Sequence, residues 1–423
     1  SSFMENLQLL FVDPCISSDT RMKETIVSLL PVPASRDTRS VKIAMSFARH
    51  GYNSILFETR PSSGQWVSPV PLVSLGKRNI NTSAPQVESQ RPKAERFSTL
   101  FECLHFLKFV AMYWVFLPAW AIFKLPKADL YYLHEYRLYP LARIAQLLYG
   151  AKIIYDAHDF YPAVWNFNSL SGFWKRCFLP FLTWMDGRAA IGADEVVTVG
   201  DGVAECIRDA YRVEPIVVRN CHDQNLEDRN TLSLRQELEL DENEVLIVSI
   251  GNDKAGHDGA QIVRALSFLP ENFHIAFVGR FHEEKSSLAE MLGIRKRVHL
   301  PGAVTPEKIV PYVKSADLAI LPYTPITENY RYILPNGFFQ SIAAGLPLLY
   351  TDLPDIMRAI DKHSIGRIID MSDAKLIAEV IKSTVDAPNE LATYRKNVTL
   401  LRDILSWQRE EKHLIELIRN TIK

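Results

Sequence analysis

The same local order occurs twice in this chain: a short apolar run, a turn, and a segment of helical period. The first series runs through Thr25–Val32, Asn53–Thr59, Asp129–His134, Lys152–Ala157, Glu195–Val199 and Pro215–Val218. The second runs through Glu244–Ile250, Phe273–Gly279, Val298–Leu300, Leu318–Leu321 and Leu346–Tyr350. Strands that alternate with helices must pair in parallel, through right-handed crossovers, because each crossover needs a helix to return the chain. A polar stretch, QNLEDRNTLSLRQ, separates the two series. The chain is therefore read as α/β, with two Rossmann-like parallel-sheet domains facing each other across a cleft. The expected divisions are an extension at 1–24, a first domain at 25–222, a linker at 223–235, a second domain at 236–403 and a last helix at 404–423. A length of 423 residues suits two such domains.

Charge and cysteine content narrow the function. A formal net charge of −1 gives no bulk attraction to nucleic acid. Cys15, Cys103, Cys177, Cys206 and Cys221 are scattered without a C-x-x-C pair, which points to a reducing, cytoplasmic setting rather than a disulfide framework or zinc site. The most apolar run, Phe101–Phe123, is broken by Pro118. Its uninterrupted part is only about 15 residues, short of the ~20 needed to span a bilayer. It reads as a buried helix or as a helix lying on a membrane surface. The aromatic, basic segment 168–190 is a second candidate for contact with the inner face of a membrane.

Ligands of open α/β sheets gather at the carboxyl ends of the strands. Two His-acid pairs fall there, His134-Glu135 and His158-Asp159. Imidazole and carboxylate suit metals, yet no third His or Cys lies nearby at metal-like spacing, so no metal is expected. In the second half, Gly251–Gly259 follows a strand and precedes a helix, the position of a phosphate cradle. It is neither G-x-G-x-x-G nor a Gly-Lys-Ser/Thr loop. Lys254 and Arg280 are its candidate cations. From Glu328 to Asp352 the chain makes a turn at Leu334-Pro335-Asn336-Gly337, a compact helix stopped by Gly345, and a buried strand. Such a turn offers free N–H groups and a positive dipole end to an anion or a sugar hydroxyl.

The wording of these motifs resembles glycosyltransferase family 4, the retaining nucleotide-sugar enzymes of the GT-B fold. The segment Tyr155-Asp156-Ala157-His158-Asp159-Phe160-Tyr161-Pro162 is similar to a "YDAHELYP" signature. Asn329-Tyr330-Arg331-Tyr332, Leu334-Pro335-Asn336 and Ala343-Ala344-Gly345-Leu346-Pro347 sit where that family has "NYRYALPNKLFEYxAAGLP". Asp37–Val41 and Phe47–Tyr52 look like its first helix, and Trp407 like the residue that opens a last helix crossing back to the first domain. The resemblance implies a donor of UDP- or GDP-sugar type and an acceptor that is a glycan or lipid-linked glycan, with no cofactor. It makes His158 and Asp159 the catalytic candidates and places His134, Glu135 and Arg39 on the acceptor side. It assigns the donor to Gly251, Lys254, Arg280, Tyr332, Leu334, Pro335, Asn336 and Gln340. Three positions depart from the pattern: Gln340 replaces the ribose-binding Glu, Tyr332 the preceding acid, and Gly337 the Lys after "LPN". A neutral amide grips a hydroxyl less firmly than a carboxylate. A catalytically impaired relative that binds a glycan or scaffolds a partner is thus the alternative. An epimerase or phosphorylase of the same fold is a third reading.

Overall fold

A computed structural model describes residues 23–63, 66–76, 99–167, 172–228 and 230–423. Nearly all of the expected extension 1–24, most of the loop after Thr59, the start of the 168–190 segment and one linker residue lie outside the described residues.

Each half is a parallel sheet with helices on both faces. The first holds β1 (Thr25–Leu30), β2 (Asn53–Glu58), β3 (Leu72–Ser74), β4 (Leu130–Leu133), β5 (Lys152–Ala157), β6 (Glu195–Thr198) and β7 (Ile216–Val217). Their order is β3-β2-β1-β4-β5-β6-β7. The second sheet holds β8 (Val245–Ile250), β9 (Phe273–Val278), β10 (Val298–Gly302), β11 (Leu318–Leu321), β12 (Leu348–Tyr350) and β13 (Gly366–Ile368), ordered β10-β9-β8-β11-β12-β13. Every recorded strand pair is parallel. The strands are continuous apolar runs because both sheet faces are covered, which is why β4, β9 and β11 are buried at every position. In both sheets the strand order reverses beside the first strand, between β1 and β4 and between β8 and β11. A crevice opens at such a reversal.

The helices used below are α1 (Thr38–Arg49), α2 (Thr99–Ala111), α3 (Leu117–Ala121), α4 (Tyr139–Tyr149), α5 (Gly172–Gly192), α6 (Asp201–Tyr211), α7 (Glu283–Met291), α8 (Asn336–Ala343), α9 (Pro354–Ile360) and α10 (Trp407–Ile422). The Phe101–Phe123 run is not one regular helix. Leu117 N–H bonds the Met112 carbonyl five residues back, forming a π-helical turn over Met112–Phe116. Pro118 has no N–H with which to continue the ordinary ladder, so the helix widens where the sequence forbids the usual bond. Among the described residues no helix is long and apolar enough to cross a membrane.

α10 lies on the first domain, away from the sheet that precedes it. Leu414, Ile415 and Ile418 pack with Ile26, Ile43, Phe47 and Tyr132. Trp407, fully buried, donates Nε1–H to Ser46 Oγ at 2.9 Å, and the Lys42 ammonium sits 4.1 Å from its ring centroid. Arg49 pairs with both Glu411 and Asp223. Burial of an indole with its N–H satisfied fastens this helix far more strongly than the ion pairs do.

Candidate functional site

The segments after β1, β5, β6 and β7 face the turn before α8, and a cavity of about 370 Å³ lies between them. Its walls include Asp37, Arg39, His158 and Asn220 from the first domain and Leu334 and Asn336 from the second. Asn220 Nδ2 donates to Asn336 Oδ1 at 2.8 Å and closes one end.

Beneath His158 lies a charged cluster. β5 places Asp156 inside the sheet at 0% exposure, and α1 brings Arg39, 4% exposed, across to it. Arg39 Nε and Nη2 each donate to an Asp156 oxygen at 3.0 Å, and Nη1 donates to the Val218 carbonyl at 2.9 Å. His158 Nε2 lies 3.3 Å from Asp156 Oδ2, and His134 Nδ1, one strand over, lies 3.7 Å from the same oxygen. Burial pushes the Asp156 carboxyl up, but Arg39 first and then His158 hold it well below the usual carboxylate range. Burial works to lower His158, yet Asp156 and then Asp37 raise it above its ordinary value. His134, completely buried, goes the other way and is pushed down by desolvation to about 4. The two imidazoles, ring centroids 5.6 Å apart, are thus shifted in opposite directions, His158 upward by its anionic neighbours and His134 downward by burial.

His134, Asp156 and His158 also present three ligand atoms within 4.8 Å of one another. The third ligand that sequence spacing lacked is the carboxylate two residues before His158. Both of its oxygens, however, already bond the Arg39 guanidinium, so a divalent ion there would meet a fixed positive charge at hydrogen-bond range.

Two helices begin at the cavity. Asp37 caps α1, accepting from Ser40 N–H at 3.0 Å and from Ser40 Oγ–H at 2.6 Å. Although burial raises it, His158 and His134 hold Asp37 below its ordinary value. α8 starts at Asn336 after Pro335, which supplies no side-chain cap. Phe338 N–H turns back to the Pro335 carbonyl at 2.9 Å, which leaves the Asn336 and Gly337 amides as the ones available to an anion or hydroxyl. Gly337 is what allows α8 to sit so close to β8: a Cβ there would lie 2.3 Å from the Ile250 carbonyl oxygen. This packing explains why the turn carries no long side chain at that position. The approach recurs at Gly279, whose Cβ would fall 2.0 Å from the Gly251 carbonyl oxygen.

The loop after β8 forms a second polar group. His282 Nε2–H donates to the Gly251 carbonyl at 2.8 Å, and Arg280 N–H to Asn252 Oδ1 at 2.9 Å. Lys285 of α7, buried, holds Asp253 at 3.0 Å. Lys254 is exposed, with its ammonium 5.7 Å from the Tyr323 ring and 5.5 Å from that of Tyr330. Gly251 and Tyr323 stand at the β8/β11 reversal, where a Cβ on Gly251 would come within 3.3 Å of the Tyr323 hydroxyl.

Of the residues expected from sequence, Arg39, His158, Leu334 and Asn336 meet in the cavity, with His134 directly below. Glu135 turns aside to pair with Arg137. Asp159 accepts from Asn329 Nδ2 at 2.9 Å, while Asn329 Oδ1 accepts from Phe160 N–H, so Asp159 joins the domains. Tyr332 stacks over Gly202 at the start of α6, where a Cβ would fall 2.0 Å from the ring. Beside it Asp355, at the start of α9, accepts the Gly202 N–H through both oxygens at 3.0 and 2.9 Å. Gln340 is half-buried on α8 and Pro335 is buried at its start. Asp37, Asp156, Asn220 and Lys285 were missed as site residues. The first two sit inside quoted motifs, and the acid two residues ahead of His158 on the same strand was the available signal.

Residues 230–400 match the family described as glycosyl transferases group 1. The second half is therefore a group 1 glycosyl transferase domain. No curated protein sequence matches the chain. Over its length the fold is similar to that of HepE from Anabaena, solved with UDP and glucose, at 14% identity and a TM-score of 0.68, covering 94% of this chain and 99% of that one. Sucrose-phosphate synthase from Thermosynechococcus elongatus is equally similar, at 15% identity and a TM-score of 0.68, covering 94% and 98%. WaaG, a glycosyltransferase involved in lipopolysaccharide biosynthesis, aligns at 16% identity and a TM-score of 0.63 over 93% and 99%. The architecture is GT-B.

Proposed function

We propose that this protein is a retaining glycosyltransferase that moves a hexosyl group from a UDP- or GDP-sugar to a glycan or lipid-linked glycan in polysaccharide or glycoconjugate synthesis. The observation that carries the reading is the shared cavity, with His158 on one wall and the uncapped start of α8 on the other. The HepE structures hold UDP and UDP-glucose, which supports a nucleotide-sugar donor. The α8 amides and the loop cations Lys254, Arg280 and Lys285 are set to take the diphosphate, and the first domain the acceptor. In the transfer, the bond from the anomeric carbon to the diphosphate oxygen breaks and a bond to the acceptor oxygen forms on the same face. The acceptor proton passes to the departing diphosphate. The chain then supplies positioning and a fixed field for the oxocarbenium-like state, with His158 oriented by Asp156. No step is assigned to a metal.

One observation favours a second reading, a catalytically impaired relative that binds glycans or scaffolds a partner. Tyr332 is spent on interdomain packing and Gln340 is neutral. Calorimetric titration with UDP-, GDP- and ADP-sugars, followed by assay of nucleotide release, separates the two. Binding and release with one donor and loss of release in His158→Ala support the enzyme. Absence of both with every donor refutes it.

A further inference from the structure

One exposed surface of the first domain is apolar and aromatic. α2, its π-helical turn and α3 form one rod; α4 packs along it, and α5 meets it through Phe181 and Trp184. Trp114 joins α5 through Trp184, ring centroids 5.2 Å apart. Along the rod, outward positions recur at helical spacing and are apolar: Phe116 is 65% exposed, Trp120 49% and Phe123 88%. Leu147 and Leu148 continue the surface on α4, and Trp184 on α5, all exposed. The inward positions Tyr113, Leu117 and Ala121 already fill the core, so the outer stripe is surplus to folding.

Charge says what covers it. Among the described side chains, the exposed cations on these elements and the loop after α3 are Lys108, Lys124, Lys127, Arg143, Arg176 and Arg188. Of the carboxylates described on or beside these elements, Asp186 is buried and accepts from Tyr155 and Tyr211, while Asp129 and Asp194 are exposed at the border of this face, Asp194 being held by Lys152 and Gln146, so the cations remain in excess. Lys124 lies 4.6 Å from the Trp120 ring and Lys127 5.5 Å from that of Tyr149, the pairing of aromatic body with cationic tip found at bilayer interfaces. A second copy would bring like charges together across a two-fold contact. Protein interfaces, moreover, are depleted in lysine.

We propose that this face docks on an anionic lipid bilayer, with the aromatic and aliphatic stripe in the headgroup boundary and the cations on lipid phosphates. It extends the lipid-linked acceptor of the proposed function and rests on that reading for its purpose. Vesicle binding and sugar transfer are read separately, so either can fail alone. The face joins the site through the turn after His134: Arg137 lies 5.3 Å from the Tyr113 ring, and α5 packs against the same turn.

The test is co-sedimentation with vesicles of phosphatidylcholine and phosphatidylglycerol in equal parts, against phosphatidylcholine alone. The intact chain is expected to bind the anionic vesicles and to be released by salt. At roughly fivefold in affinity per cation near the surface, Lys124→Glu with Arg143→Glu should lose at least about 25-fold. Phe116→Glu with Phe123→Glu should abolish binding while circular dichroism and donor affinity stay unchanged. Equal binding to phosphatidylcholine alone, no binding to either, or self-association that the phenylalanine variant removes without any vesicle affinity would each overturn the proposal.

Discussion

Removing the Asp156 carboxylate puts the most weight on the smallest change. In Asp156→Asn the Arg39 guanidinium stays 4% exposed and loses its counter-charge; one of its two 3.0 Å bonds can pass to the amide oxygen, while the other meets an amide N–H, and the bond to the Val218 carbonyl remains. Breaking a buried pair from one side costs about 3–5 kcal/mol, whereas replacing both partners by apolar groups of similar volume is near neutral. The single variants Asp156→Asn and Arg39→Met should therefore each lose several kcal/mol in urea unfolding followed by circular dichroism. The double variant Arg39→Met/Asp156→Leu should lose far less than their sum. The same substitution removes the anion that raises His158, so its imidazole should titrate lower, read by NMR of the ring protons. If Asp156→Asn costs under about 1 kcal/mol, the buried pair is not what holds the cluster. If His158 titrates where it did before, Asp156 is not its anion, and the charge assignment of the site is wrong.

Other consequences can be read the same way. His134 is held at about 4, below its unfolded value near 6.5, so its contribution to stability is fully present above pH ~6.5 and is lost as pH falls towards 4. That displacement is worth about 3 kcal/mol, and in His134→Gln the acid limb of the stability profile should flatten; an unchanged limb counts against it. Gly337→Ala drives a methyl towards the Ile250 carbonyl and should cost about 1–3 kcal/mol while weakening donor binding in calorimetry. Chelators should leave nucleotide release unchanged, since Arg39 occupies both Asp156 oxygens; loss of activity that Mg²⁺ or Mn²⁺ restores would contradict this.

The two sheets were legible because strands buried on both faces must be written as apolar runs, and β4, β5, β8 and β9 are. β13 was not foreseen: three residues at a sheet edge, led by Gly366, carry no such run. The one-turn helix Glu328–Arg331 also escaped notice, since it overlaps Asn329–Tyr332, a segment read for chemistry. In the site, His158 and the α8 turn could be found because a strand end and a Pro-initiated helix are local events. The partners of Asp159 and Tyr332 could not. Asn329 and Gly202 lie on the facing domain or a distant element, and sequence order does not say that they meet. Likewise Arg280 and Lys254 stood out as cations beside a loop, whereas the buried Lys285 had no signature until α7 carried it to Asp253.

The central claim, that the cavity between the domains takes a nucleotide sugar, is tested most directly by calorimetry of the intact chain with UDP-, GDP- and ADP-sugars, repeated on Asn336→Trp, which fills the cavity at the start of α8. One donor should bind at one site per chain, and the variant should abolish that binding while its circular dichroism spectrum is unchanged. Binding that survives the filled cavity, or no binding by any donor to the unaltered chain, would contradict it.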